Sequence, residues 1–175
     1  MDLERKFARG DGSVRLEEGA RITGYASFFG VEDTGRDIVA PGAFCDSLAR
    51  IGTEGHSVKM LWQHDPAQVI GVWDEVREDE RGLRVSGRLL DGVSRAREAA
   101  ALIDAGALDG LSIGYTVRRA GRDEKGRRLL KELELWEVSL VTFPMLPSAR
   151  VGAKADPLRD LARAIRAARD DLARA

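Results

Sequence analysis

Leu83-Arg84-Val85-Ser86-Gly87-Arg88-Leu89 is the stretch that decides the fold. Apolar and polar residues largely alternate along it, the pattern of a strand with one packed face and one wet face. Just before it, Asp79-Glu80-Arg81-Gly82 carries the residues of a tight turn. Residues 69–77 read as the strand on the other side of that turn, so the three pieces make a hairpin.

Working outward, residues 57–62 form another strand-like run. Residues 21–30, Arg21-Ile22-Thr23-Gly24-Tyr25-Ala26-Ser27-Phe28-Phe29-Gly30, read as a strand with a glycine break. Pro41 precedes a short helical pattern that places Phe44 and Leu48 on one face. Downstream, residues 94–105 form the best internal helix. Ala99, Leu102 and Ile103 share its buried stripe, and Gly106 supplies a left-handed stop. A strand begins near Ser112, turns at residues 121–126, and returns as a long strand to about Phe143. The expected class is α+β and mostly β: a closed or partly closed antiparallel β-barrel flanked by short helices. Closure would remove exposed strand edges.

The termini differ in character. Residues 1–20 are polar and contain glycine, as in a loose arm or an edge strand. Residues 21–152 form the domain. Residues 153–175 form an amphipathic C-terminal helix capped by Asp156, with Pro157 at its first position. Leu158, Leu161, Ile165, Ala168 and Leu172 recur at three- and four-residue steps, as in a heptad seam. About two heptads are too short for a stable isolated coiled coil, so the tail docks on its own domain or on a partner.

The 175 residues fit one domain with a short appendage, long enough for a core without staples. The net charge of −1 points to neither nucleic acid nor an anionic membrane surface. Arginine outnumbers lysine 23 to 5, which reads as coding bias rather than a binding surface. Cys45 is the one cysteine, so an internal disulfide is excluded, as suits a reducing cytoplasm. No apolar run approaches the ~20 residues of a bilayer span. The start, Met1-Asp2-Leu3-Glu4-Arg5-Lys6, lacks the apolar stretch of a signal peptide. Two histidines and one cysteine make a dedicated metal site improbable, and no phosphate-cradling glycine motif is present, so no cofactor is expected.

Three segments carry chemistry. Ser112 stands in Asp109-Gly110-Leu111-Ser112-Ile113-Gly114-Tyr115, where the glycines would let a substrate backbone approach. It reads either as an exposed nucleophile or as a solvated strand serine beside turn glycines. His64, in Leu61-Trp62-Gln63-His64-Asp65-Pro66, sits at a strand end, where a neutral imidazole can accept a serine proton. The alternative is an ordinary loop histidine. Glu137, in Leu135-Trp136-Glu137-Val138-Ser139, shares a strand face with Leu133, Leu135, Ser139 and Val141. A carboxylate on a buried face needs a partner, either His64 or an arginine, unless the strand twists it into solvent. Asp65 is the second choice of acid, since neighbouring strand residues point apart. His56 reads as an exposed loop residue. Cys45 reads as a small packed residue beside Phe44 rather than a nucleophile.

With these segments in order, residues 20–152 resemble the tailed-bacteriophage prohead serine proteases, capsid-maturation enzymes distantly related to the herpesvirus assemblin and also found in gene transfer agents. The supporting marks are Gly24-Tyr25-Ala26, Pro41-Gly42-Ala43-Phe44, Leu61-Trp62-Gln63-His64-Asp65, Ile70-Gly71, Gly82-Leu83, Leu111-Ser112-Ile113-Gly114-Tyr115, and Glu137-Val138-Ser139-Leu140-Val141 with Pro144. The resemblance implies Ser112 as nucleophile, His64 as general base and Glu137 as third member; it leaves the oxyanion donors unplaced, a backbone amide after Pro144 being one candidate. It implies a serine endopeptidase inside the procapsid, in the bacterial host cytoplasm. Its substrate would be the scaffolding part of the major capsid protein, and the enzyme itself. It also raises dimer formation. Separately, the apolar seam of residues 158–172 suggests a docking or self-cleaved segment that carries the enzyme into the shell. A non-catalytic assembly protein of the same fold is the competing reading. A small-molecule esterase ranks last, for want of a Gly-x-Ser-x-Gly elbow.

Overall fold

The computed structural model describes residues 4–6, 14–17, 20–33, 35–143 and 151–152. In chain order its elements are β1 (Glu4–Lys6), β2 (Val14–Glu17), β3 (Arg21–Phe28), β4 (Asp37–Val39), α1 (Cys45–Glu54), β5 (Lys59–Trp62), β6 (Asp65–Glu78), β7 (Gly82–Leu89), α2 (Ser94–Asp104), β8 (Gly110–Arg122), β9 (Arg128–Val141) and β10 (Val151–Gly152). The expected C-terminal helix lies outside the described residues.

The alternation that opened the reading is realised in β7. Leu83, Val85 and Leu89 are buried, while Arg84 and Ser86 are half-buried and Arg88 is exposed. The Asp79 side chain holds the turn before β7, accepting from the amides of Arg81 at 2.8 Å and Gly82 at 3.2 Å. In β3 the glycine is not the break. Gly24 pairs with Val85, and the irregularity falls one step later, between Tyr25 and Ser27.

All the strands join one sheet in the order β1-β8-β9-β5-β6-β7-β3-β2-β10, with β4 added to β9. The sheet is mostly β-hairpin and curls into a half-barrel rather than lying flat. Bulges between β5 and β6, β6 and β7, and β8 and β9 supply bends. Among the described residues the strand path runs from β1 to β10 without returning on itself, so no closed barrel is seen. Nor is the pairing purely antiparallel. Both β4 and β5 run parallel to β9, because α1 carries the chain back between them.

That crossover explains the long β9. Its residues 128–130 pair with β4 and its residues 137–140 pair with β5. In the gap, α1 and its approach take the free amides: Leu133 donates to the Ala43 carbonyl at 2.8 Å and Leu135 to Ser47 Oγ at 2.9 Å. Phe44, at the start of α1, is fully buried, and Leu48 packs beside the same core. In α2 the buried stripe is Ala96, Ala99 and Ile103, and Leu102 is 38% exposed. Helical spacing puts residue 102 off the face shared by 96, 99 and 103. Gly106, at φ +69°, ends this helix as expected.

Candidate active site

The site is assembled where β5, β8 and β9 lie side by side. Antiparallel pairing sets Ser112 of β8 opposite Ser139 of β9, and Gly114 opposite Glu137. Parallel pairing sets Lys59 beside Glu137 and Leu61 beside Ser139. The end of β5 therefore points along β9 toward Ser112. The next two residues, Gln63 and His64, form the connection to β6, and Trp62 pairs with Asp65 across it.

This connection is a two-residue hairpin turn in which both central residues have positive φ, +52° for Gln63 and +62° for His64. Such turns normally use Asn-Gly. A side chain there costs about 1–2 kcal/mol per residue, so other contacts must hold it. They come from the end of β9. The Gln63 amide donates to the Leu140 carbonyl at 2.9 Å, and its side chain donates to Thr142 Oγ1 at 2.7 Å. The His64 amide donates to Ser139 Oγ at 3.2 Å. Left-handed backbone of this kind is local strain of the sort that clusters at active sites.

The strain aims the imidazole inward. His64 Nε2 lies 2.6 Å from Ser112 Oγ, and His64 Nδ1 lies 2.5 Å from Glu137 Oε1. An ionised carboxylate only accepts, so Nδ1 donates to Glu137 and the Nε2 lone pair faces the serine hydroxyl. The remaining carboxylate oxygen, Oε2, accepts from Ser139 Oγ at 2.5 Å. The His64 and Glu137 side chains are 8% and 5% exposed, which shields their contact from water. The arrangement can take a proton from Ser112 onto His64 while Glu137 holds the resulting imidazolium.

Several expectations resolve on this geometry. Glu137 bonds His64 and Ser139, so neither an arginine partner nor a solvated carboxylate describes it. Ser112 is neither a solvated serine nor an exposed nucleophile: it is 0% exposed. Its strand is flanked by β9 on one edge and by β1 on the other, where Lys6 pairs with Ile113. Asp65 is exposed and accepts from the Ala67 amide, away from the imidazole. His56 is exposed. Cys45 is exposed rather than packed. Its thiol lies 2.9 Å from Glu78 Oε2, and that bond, with some burial, raises its pKa. A thiol held protonated is a poor nucleophile. Residues 144–150, where the candidate oxyanion amide after Pro144 falls, lie outside the described residues. Among the described residues no three His, Cys, Asp or Glu side chains gather as a metal site.

Ser139 is the site residue that sequence reasoning left without a role. Its signal was there: strand alternation puts it two residues from Glu137, on the same face.

The chain is similar to known proteins in sequence and in fold. The chain is 35% identical over 160 residues to the prohead protease of Enterobacteria phage HK97, covering 87% of this chain and 65% of that protein. It thus spans a little under two thirds of that relative. The fold resembles that of the capsid assembly protease of bacteriophage T4, with a TM-score of 0.61 at 17% identity over 81% of this chain and 98% of that one. The family profile of the Caudovirus prohead serine proteases matches residues 11–163, and on that match this chain belongs to the prohead serine protease family.

Proposed function

We propose that this chain is a serine endopeptidase acting on the scaffolding part of a major capsid protein, and on itself, inside the procapsid in a bacterial host. The observation that carries the reading is the continuous Ser112–His64–Glu137 chain of contacts, at 2.6 and 2.5 Å. Membership of the prohead serine protease family supplies the substrate class.

In this mechanism Ser112 Oγ attacks the scissile carbonyl carbon as its proton passes to His64 Nε2. The tetrahedral intermediate collapses, and His64 returns the proton to the leaving amine. The acyl group stays on Ser112. A water then enters, His64 takes its proton, and the hydroxide oxygen attacks the ester carbonyl. The second collapse releases the acid and restores the Ser112 hydroxyl with the proton held on His64. The Nδ1 proton stays on His64 throughout, donated to the Glu137 carboxylate, which balances the charge on the ring. Because Ser112 is fully buried, peptide entry displaces part of the cover over it.

The test is co-expression of the full chain with capsid precursor, read by mass spectrometry of the capsid protein. Wild type is expected to trim the precursor, and Ser112→Ala or His64→Ala to reduce trimming by at least about a thousandfold. Binding of precursor without cleavage by wild type would instead identify a non-catalytic assembly protein.

A further inference from the structure

We infer that Ser139 is a positioning residue whose single buried hydroxyl fixes both the acid and the turn that carries the base. The inference rests on the peptidase reading above and extends its site to a fourth side chain.

Ser139 is fully buried, and both its bonds are to site residues. A hydroxyl has one proton to donate. Here the proton goes to Glu137 Oε2, because an ionised carboxylate has none to offer in return. The lone pairs then accept the His64 amide. The result is a series, amide to hydroxyl to carboxylate, in which each bond polarises the next.

The two ends of that series are the two groups whose alignment matters. A carboxylate held through Oε1 alone can swing about its terminal torsion, which has broad wells. The second bond, at Oε2, sets its plane against His64 Nδ1. At the other end, His64 has a left-handed backbone, and its amide is one of the tethers holding that conformation. Losing the hydroxyl loosens the imidazole and the carboxylate together. A serine that merely satisfied a turn amide would leave the His64–Glu137 bond unchanged.

That difference can be measured in the resting full-length protein. A proton shared between His64 Nδ1 and Glu137 gives a far-downfield proton NMR resonance, and Ser139→Ala is expected to shift or broaden it. On a capsid-derived peptide, Ser139→Ala is expected to lower kcat about tenfold to a hundredfold and leave KM within about twofold. A resonance unchanged from wild type overturns the proposal, even if kcat falls, as does a kcat within about twofold of wild type. If Ser139→Ala does not fold, Ser139→Cys carries the same readouts. Its thiol is close in volume but a weaker donor, so an intermediate shift is expected and no shift overturns the proposal. If wild type proves inactive while the resonance still moves, the peptidase reading falls and the positioning role stands.

Discussion

Gly114 shows how closely the site depends on single residues. It lies opposite Glu137, and a Cβ there would overlap Glu137 Oε1 and stand 2.8 Å from Cγ and Cδ. The acid occupies the space that glycine leaves. Gly114→Ala is therefore expected to push Glu137 off His64 and cut cleavage at least about tenfold. The same overpacking should cost about 1–3 kcal/mol of stability. Peptide cleavage and thermal unfolding check this; unimpaired cleavage would mean Glu137 is not the working acid. In sequence, Gly114 reads as room for a substrate backbone beside a candidate serine, whereas the structure gives that room to the Glu137 side chain. Strand alternation made Glu137 and Ser139 neighbours on one face, but pairing Glu137 with His64 needed β5 to run parallel to β9, which no local pattern announces.

At the scale of elements, the β8–β9 hairpin was legible because its turn chemistry is local. Asp123 Oδ1 accepts from the amides of Lys125 and Arg127 at 2.9 Å each, and Gly126 takes φ +76°. The Arg127 guanidinium also bonds the Asp123 carboxylate and holds its pKa below the usual range. A depressed carboxylate contributes stability above the unfolded-state value, near about 4, and loses it as pH falls through the folded value. Asp123→Asn keeps an oxygen for both amides but removes the ion pair. Amide exchange in the hairpin is thus expected to be better protected in wild type than in Asp123→Asn at pH 7, with the gap closing below about pH 4. A gap that stays the same from pH 7 to pH 3 would refute the assignment. The β5–β6 turn was less legible. Gln63-His64 lacks the Asn-Gly signature, because contacts from β9 rather than intrinsic preference hold its left-handed backbone.

At the scale of the whole molecule, the half-barrel wraps a core in which Met60 is fully buried against the β6 and β7 backbones. A Cβ at Gly71 would overlap Met60 Sδ and approach the Arg88 carbonyl to 2.5 Å. Gly71→Ala should lower unfolding stability by about 1–3 kcal/mol in a denaturant titration. An unchanged midpoint would show that β6 and β7 separate more easily than their packing implies. The burial of Ser112 also belongs to this scale. Residues 4–6 and 137–141, far apart in the chain, converge on the two edges of β8.

Sequence by itself determined the strands β3 and β5 to β9, the two internal helices, the β6–β7 and β8–β9 turns, and which serine, histidine and acid to watch. Those features rest on alternation, helical spacing and turn residues, all short-range properties of the chain. Tertiary structure alone decided that β4 and β5 lie parallel to β9, that the described sheet stays open, that Ser112 is covered, and that Ser139 joins His64 to Glu137. The physical reason is that strand partners and edge cover come from long-range packing, to which no single segment's pattern commits.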